Sequence, residues 1–163
     1  MLTTARSFAI AAHGDQKYGD QPYLHHLDAV VEILAPYGTE AQIIGYLHDV
    51  VEDTPITIAE IKAIFGEFVA NCVAIVSDEP GSTRQARKAQ TYAKMTQVTG
   101  KETLALVVKA ADRLANIQAC LSAEHASLLA IYKKEHAAFS KAVYRPGICE
   151  DIWARINQLI TTS

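Results

Sequence analysis

The sequence predicts an all-α fold, a single compact domain of about eight helices over residues 1–163, on three observations. Apolar residues recur at the spacing of amphipathic helices from one end of the chain to the other. No two alternating apolar and polar runs are joined by an Asn-Gly or Asp-Gly turn, the strongest short-range signal of a β-hairpin. Apolar residues make up 50% of the chain and charged residues 20%, which is typical of globular domains. No repeat or low-complexity tract suggests a second domain.

Turn and capping residues divide the first half of the chain into five expected helices. They cover residues 3–16, 23–36, 39–52, 57–66 and 67–77. Thr57 and Glu60 have the spacing of a capping box at the start of the fourth helix. Pro55 ends the third helix, because proline disfavours helical geometry in the residue before it. The segment KYGDQP is rich in turn residues, so we expect a loop between the first two helices.

The second half begins with the longest polar stretch, SDEPGSTRQ at residues 77–85, which we expect to be a flexible loop. It leads into a basic helix, TRQARKAQTYAKM. Three further helices are expected over residues 102–121, 124–143 and 147–160, the first of them the most apolar in the chain. Trp153 in the last helix fits either the core or a homodimer surface, and the core is the default.

Composition excludes several classes of protein. A net charge of −3, from 15 basic and 18 acidic residues, provides no overall positive potential that would bind the nucleic-acid backbone. The three cysteines are too few and too far apart for a disulfide framework or a thiolate zinc site: Cys72, Cys120 and Cys149. The apolar stretch after Arg6 is too short for a secretory signal, and no stretch approaches the roughly 20 apolar residues of a membrane-spanning helix. We therefore expect a cytoplasmic protein with no nucleic-acid or membrane partner.

The segment GYLHDVVEDT places four ionisable side chains at one end of an otherwise apolar helix. Residues four apart share a helix face, so His48 is expected above Glu52, and Asp49 above Asp53. Buried charge is costly unless it is paired or coordinates a metal, and a divalent cation would remove that cost. The alternative is that the two distal carboxylates lie on a solvated helix end while His48 is hydrogen-bonded in the core.

A second polar site lies in VVKAADRLANI, within the most apolar helix. Asp112 is flanked by apolar residues, and aspartate is seldom buried without a partner. It is therefore either a metal ligand or the partner of Arg113 in a salt bridge. Asn116 lies one turn beyond Asp112 on the same face, which indicates the wall of a site.

A third polar site lies in YLHHLDAVVEIL. His26 is in register with Val30 and Ile33 on the apolar face, whereas His25 shares a face with Asp28, so His26 is the expected inward ligand. Imidazole and carboxylate together suit Mn²⁺, Fe²⁺, Zn²⁺ or Mg²⁺, and the lack of thiolate argues against a closed structural zinc site.

The basic helix and the remaining histidines receive weaker assignments. The helix carries four cations: Arg84, Arg87, Lys88 and Lys94. Two or three of them could reach a metal-bound phosphate, although such a run is more often a solvated face. For three histidines we expect surface or supporting roles: His13, His125 and His136.

Four segments, in their order along the chain, resemble the HD-domain superfamily: HGDQKYGDQPYLHHLDAV, GYLHDVVEDT, FGEFVANCVAIVSD and VKAADRLANI. More narrowly, they resemble the RelA/SpoT-type hydrolase domain and the free-standing small alarmone hydrolases. The resemblance covers about residues 5–140. HDVVEDT combined with ADRLANI, at this separation, is its most specific part.

The resemblance implies a set of roles at positions of this chain. One divalent metal, Mn²⁺ first, would be bound by His26, His48, Asp49 and Asp112. Glu52 and Asp53 would serve the hydrolytic water. The implied substrate contacts are Asn116 at the ribose or phosphates, Lys88 at a phosphate, and Tyr132 in the nucleotide pocket. Arg87, beside Lys88, and Lys17, in the first loop, complete the expected substrate-binding set.

The implied activity is removal of the 3′-pyrophosphate from an alarmone nucleotide of the (p)ppGpp type, the small molecule of the stringent response. The chain departs from the family where a basic Arg-Lys segment usually helps to hold the purine, because Lys17-Tyr18-Gly19-Asp20 stands there. Guanine and adenine therefore both stay open. Leu27 replaces the family's usual proline after the metal histidine.

Two alternative functions stay open. One is an HD-domain phosphohydrolase that releases orthophosphate from another phosphorylated nucleotide. The other is a non-catalytic domain that senses a metal or a nucleotide. The presence of both Glu52 and Asp53 beside a complete set of metal ligands argues against the second.

Overall fold

A computed structural model describes residues 1–122 and 125–162, and it confirms the predicted all-α class. Its α-helices are α1 Leu2–His13, α2 Leu24–Leu34, α3 Thr39–Leu47, α4 Val50–Asp53, α5 Ile58–Phe65, α6 Glu67–Val76, α7 Arg84–Thr96, α8 Thr103–Ser122, α9 Ala126–Val143 and α10 Glu150–Thr162. Short 3-10 turns at Ala35–Tyr37 and Gly100–Glu102 precede α3 and α8. The expected helix start at residue 124 and the last residue of the predicted domain lie outside the described residues.

The expected loop KYGDQP contains a small antiparallel hairpin that the sequence did not predict. Strand β1 is Lys17–Tyr18 and strand β2 is Gln21–Pro22, with Tyr18 paired to Gln21. Gly19 begins the two-residue turn at a φ of 58°, a conformation that glycine adopts without steric cost. Two-residue strands are too short for an alternating pattern to be visible. The hairpin leaves Lys17 exposed and half-buries Tyr18.

The helix predicted over residues 39–52 is interrupted at His48 and Asp49, so the expectation of one continuous helix was wrong there. α3 ends at Leu47, and α4 is a single turn that starts at Val50. Asp49 has a φ of −103° and a ψ of −5°, near but outside regular helix geometry. The chain leaves α4 at Thr54, as Pro55 predicted, and the Thr54 hydroxyl donates to the carbonyl of Val50.

Helix α8 lies at the centre of the fold and packs against α2, α3, α6, α9 and α10. Its apolar side chains Leu106, Leu114 and Ile117 are almost completely buried. Burying each of them contributes roughly 1.5–3 kcal/mol relative to exposure. The same helix buries three charged side chains, Lys109, Asp112 and Arg113, which is costly unless they are paired or serve a site.

The predicted caps and the end of the chain agree with the structure. Thr57 and Glu60 form the predicted capping box at the start of α5. Trp153 is 3% exposed and packs against Phe139, so its default assignment to the core is confirmed. None of the described helices has both the length and the apolar character needed to cross a bilayer.

Candidate metal-binding active site

Two histidines and two aspartates from three separate segments of the chain meet in one place: His26 in α2, His48 and Asp49 after α3, and Asp112 in α8. His48 Nε2 lies 2.9 Å from Asp49 Oδ2 and 3.6 Å from Asp112 Oδ1. His26 Nε2 lies 3.7 Å from Asp49 Oδ2 and 3.4 Å from Asp112 Oδ1. Metal bonds of about 2.1 Å hold neighbouring ligand atoms roughly 3.0–3.4 Å apart. The four side chains are therefore spaced as ligands of one cation would be. Even without Asp112, the ligand atoms of His26, His48 and Asp49 lie close enough together to hold a metal ion.

A close approach of α2 and α3 brings the two histidines together. At Gly45 a Cβ atom would lie only 2.7 Å from Leu34 Cδ1, so a larger residue would require the buried Leu34 side chain or the helices themselves to shift. His48 follows Gly45 by three residues, and its ring centroid lies 5.4 Å from that of His26. The interruption after Leu47 then turns Asp49 to the same side as His48.

The hydrogen bonding of His48 supports a metal-ligand role. Its Nδ1 lies 2.7 Å from the carbonyl oxygen of Gly45, so Nδ1 must carry the proton and donate it. Nε2 then presents a lone pair, and this buried atom has no hydrogen-bond partner. A histidine held in this way, with its free nitrogen facing carboxylate oxygens, is the usual arrangement of a metal ligand and its support.

The electrostatics of the cluster favour ionised carboxylates. Burial alone would raise the pKa of Asp49, but His48 and His26 beside it hold that pKa well below its usual range. Burial acts in the same direction on Asp112, and the charge of Lys109 outweighs it and holds the pKa of Asp112 well below its usual range. Both aspartates are thus in the protonation state that binds a cation.

Residues between the end of α1 and the start of α2 support the cluster. The hydroxyl of Tyr23 donates to Asp49 Oδ2 at 2.6 Å, and the ring of His13 stacks on Tyr23 with centroids 4.4 Å apart. The amide of Gln16 donates to Asp53 Oδ2 at 2.8 Å. Because the amide nitrogen of Gln16 faces Asp53, its oxygen Oε1 is the atom that faces His13. His13 Nδ1 therefore donates to Oε1, also at 2.8 Å. His13, for which a surface or supporting role was expected, is buried and supports the site.

Glu52 and Asp53 line the same cavity as the cluster. The backbone N–H of Asp78 donates to Glu52 Oε2 at 3.0 Å, which orients the carboxylate. Glu52 is exposed overall, but partial desolvation of its carboxylate raises its pKa above the ordinary value. A carboxylate in this environment is suited to accept a proton from water.

The cavity beside the cluster has a volume of about 220 Å³ and a wall of cations. The positively charged residues that line it are Arg84, Lys88, Lys109 and Arg113. Lys88 Nζ lies 2.8 Å from Asp78 Oδ2, and Arg84 Nε lies 2.7 Å from Glu135 Oε1. These cations balance the four carboxylates of the same lining, Asp49, Glu52, Asp53 and Asp112, and can contact an anionic ligand.

The salt bridge considered for Asp112 forms with a different residue from the one named. Lys109 Nζ lies 3.1 Å from Asp112 Oδ2, whereas Arg113 pairs with Glu135 at 3.3 Å. The guanidinium of Arg113 is also 4.6 Å from the ring centroid of Tyr132. Lys109 is three residues before Asp112 and shares its helix face, while Arg113 is rotated away by one position. Spacing within the helix could have identified this pair.

The structure brings some of the expected substrate residues to the cavity and leaves others outside. Asn116, Lys88 and Tyr132 line it. Arg87 and Lys17 are not among the described residues that do. Arg87 lies off the face that Lys88 shares with Arg84, four residues earlier, and Lys17 alternates with Tyr18 in β1.

Sequence reasoning missed the part that the hairpin plays. Tyr18 stacks on His26 with centroids 4.7 Å apart, and its hydroxyl donates to Asn116 Oδ1 at 2.7 Å. Asn116 Nδ2 in turn donates to Asp112 Oδ1. No local sequence pattern predicts these contacts, because Tyr18 of the hairpin and Asn116 of α8 are 98 residues apart in the sequence.

A second, larger cavity of about 550 Å³ adjoins the first. The two share Tyr18, Asn116 and Tyr132 as a common wall. The rest of its lining comes from the hairpin, His25 of α2, the end of α8, His125 and the beginning of α9. A ligand could therefore place a charged end at the cation-lined cavity and an uncharged end in the second one.

Comparison with known proteins gives a family-model match and several relatives. The model described as HD domain matches residues 5–148. A Synechocystis protein named probable guanosine-3′,5′-bis(diphosphate) 3′-pyrophosphohydrolase is 34% identical, covering 94% of this chain and 21% of its own length. The Danio rerio guanosine-3′,5′-bis(diphosphate) 3′-pyrophosphohydrolase MESH1 is 33% identical, covering 72% of this chain and 68% of its own length. The chain thus spans about a fifth of the first relative and two thirds of the second.

Two solved structures share the fold. One, described as a metazoan ortholog of SpoT that hydrolyzes ppGpp, has a TM-score of 0.80 at 20% identity, covering 99% of this chain and 94% of that one. The other, from Listeria monocytogenes, has a TM-score of 0.68 at 25% identity, covering 86% of this chain and 94% of that one. The arrangement of helices is therefore that of these proteins.

Proposed function

This chain belongs to the HD-domain family and, within it, to the group of RelA/SpoT-type hydrolases, and on that premise we propose that it removes the 3′-pyrophosphate from an alarmone nucleotide of the (p)ppGpp type. One observation carries the proposal. Two histidines and two aspartates meet at a buried His48 Nε2 that has no hydrogen-bond partner, and the other three of these side chains line a cavity together with four cations. Catalytic metal sites and phosphate pockets have these features together.

The metal ligands are His26, His48, Asp49 and Asp112. Mn²⁺ is the first choice because the family resemblance implies it, and the mixed set of imidazole and carboxylate also suits Fe²⁺, Zn²⁺ or Mg²⁺. When bound, a divalent cation lowers the pKa of water and stabilises negative charge on phosphate oxygens.

Glu52 and Asp53 handle the attacking water. Glu52, whose pKa is raised by partial desolvation, accepts the proton of the water as its oxygen attacks the phosphorus bonded to the ribose 3′-oxygen. Asp53, held by Gln16, orients that water. The bond between this phosphorus and the 3′-oxygen breaks, the 3′-oxygen takes up a proton, and pyrophosphate leaves.

The cations of the first cavity bind the phosphates of the substrate, and the second cavity binds its nucleoside. Lys88 and Arg84 face the phosphates and offset the charge of the departing pyrophosphate. The nucleoside extends past Tyr132 into the second cavity. Tyr18, in place of the family's basic segment, leaves guanine and adenine as candidates for the base.

The test is to incubate the purified protein with Mn²⁺ and a panel of guanine and adenine 3′-pyrophosphorylated nucleotides, then to identify the products by ³¹P NMR. Pyrophosphate with a 3′-hydroxyl nucleotide supports the proposal and identifies the base. Orthophosphate would make the chain a different HD-domain phosphohydrolase. Binding without turnover would make it a sensor. A sample with excess chelator serves as the control.

A further inference from the structure

Lys109 is a buried cation in the middle of the most apolar helix. It is 6% exposed, and its neighbours Val108 and Ala110 are completely buried. Lysine is almost never buried to this extent without a partner, because an ammonium loses its hydration there. Nothing in the mechanism above uses it. Its position three residues before Asp112 in a rigid helix points to a task at that carboxylate.

The two oxygens of Asp112 have different partners. Oδ1 faces the candidate metal position, 3.4 Å from His26 Nε2 and 3.6 Å from His48 Nε2. Oδ2 points the other way, 3.1 Å from Lys109 Nζ. Asn116 Nδ2 donates to Oδ1 as well. The carboxylate is therefore held from both sides and cannot turn its second oxygen to the cation without losing Lys109.

We propose that Lys109 is a positioning residue that keeps Asp112 a one-oxygen ligand, so that a coordination position stays open for water or for the substrate phosphate. This inference rests on the proposed function, since it takes the four side chains as ligands of one metal. Carboxylates bind cations through one oxygen or through both, and a second bond would fill a position that a catalytic site needs open. With six positions around Mn²⁺, four one-atom ligands leave about two for water.

A second lysine in the same cavity separates positioning from simple charge. Lys88 also pairs with a buried aspartate, Asp78, but that residue is not a predicted ligand. Removing either ammonium reduces the repulsion that a bound cation feels, so both substitutions act alike on charge. Only the loss of Lys109 frees an oxygen of Asp112. A difference between the two variants in the coordination of the metal therefore reports positioning.

The experiment measures water on Mn²⁺ bound to the wild type, Lys109→Met, Lys109→Arg and Lys88→Met. Water proton relaxation, normalised to bound Mn²⁺ from a parallel titration, reports the number of exchangeable waters. We expect the relaxivity of Lys109→Met to fall about twofold, from about two waters to one, because Asp112 then binds through both oxygens. Lys109→Arg and Lys88→Met should match the wild type. An unchanged relaxivity in Lys109→Met would overturn the proposal.

A crystal structure of the Mn²⁺-loaded wild type provides a second measurement that does not depend on the folding of any variant. The proposal requires Asp112 Oδ1 on the metal and Oδ2 on Lys109, and two metal bonds from Asp112 would overturn it. A wild type that binds no Mn²⁺ overturns both this inference and the metal assignment. A wild type that shows the expected coordination but hydrolyses no nucleotide overturns only the proposed reaction and supports the role of Lys109.

Discussion

The two walls of the cavity are built differently. The side chain of His48 is fully buried and that of Asp112 is 12% exposed; His48 directly follows α3 and Asp112 lies in α8, and these two helices pack against each other. On the opposite wall, the side chain of Arg84 is 43% exposed and its charge is balanced by Glu135 rather than by a deep cluster. A buried cluster holds its geometry without a ligand, whereas an exposed ion pair can exchange its partner for a phosphate. Substitutions should therefore be all-or-none on the first wall and graded on the second.

The largest expected effect tests the buried wall. Asp49→Ala removes one of the four proposed metal ligands, so we expect loss of Mn²⁺ binding and a fall in turnover of roughly 10⁴-fold. Metal content after gel filtration and product formation measure the two effects. Asp15→Ala, at an exposed loop position, is the matched control. Retention of one Mn²⁺ per chain by Asp49→Ala would contradict the assignment.

The next effect separates metal binding from chemistry at Glu52, an exposed residue beside the buried cluster. Glu52→Gln keeps the shape of the side chain but cannot accept a proton, so turnover should fall on the order of 10²–10³-fold while Mn²⁺ binding stays unchanged. Calorimetric titration with Mn²⁺ and a rate measurement at saturating substrate test this. Glu32→Gln, on an exposed face of α2, should behave as the wild type. If Glu52→Gln loses the metal instead, Glu52 is a ligand and not the base.

A smaller effect tests the basic wall. Lys88→Met removes the proposed charge-assisted contact to a phosphate, worth about 1.5–3 kcal/mol, so kcat/KM should fall roughly 10- to 100-fold. The metal content should not change. Lys141→Met, on the exposed side of α9, controls for the loss of a surface charge. An unaltered kcat/KM in Lys88→Met would place the phosphates elsewhere in the cavity.

The smallest effect tests whether the ion pair between Arg84 and Glu135 stabilises the protein less at low pH. Burial alone would raise the pKa of Glu135, but hydrogen bonds from Arg84 hold it below its ordinary value of 4.5. Because this pKa is lowered by folding, the pair stabilises the protein above the unfolded pKa and loses that effect as pH falls through the folded value. Glu135→Gln should therefore lower the free energy of unfolding by about 1 kcal/mol at neutral pH and by less at about pH 4. Urea unfolding at both pH values measures this, and an equal loss at both would refute it.

Much of the fold and part of the candidate site follow from local sequence. The spacing of apolar residues placed helices close to their observed bounds, and Thr57 with Glu60 correctly marked the start of α5. His26 was correctly preferred over His25 for the interior, because only His26 shares the apolar face of α2. The metal-ligand role of these residues stays a prediction.

The errors lie where non-local contacts decide. A helical pattern continues through His48 and Asp49, yet the chain leaves regular helix there to aim both side chains at α8. The hairpin was missed because two-residue strands carry no pattern, and its contact with Asn116 joins distant segments.

By itself, the sequence determined the helical class, the helix caps and the short set of polar residues that apolar helices do not need, because periodicity and capping act within one turn. Only the tertiary structure decided how those residues meet: which oxygen of Asp112 faces the histidines, that Lys109 rather than Arg113 holds the other, and that Tyr18 covers His26. These choices depend on how helices pack against one another, since a side chain's partner across the core is set by the position and rotation of a whole helix.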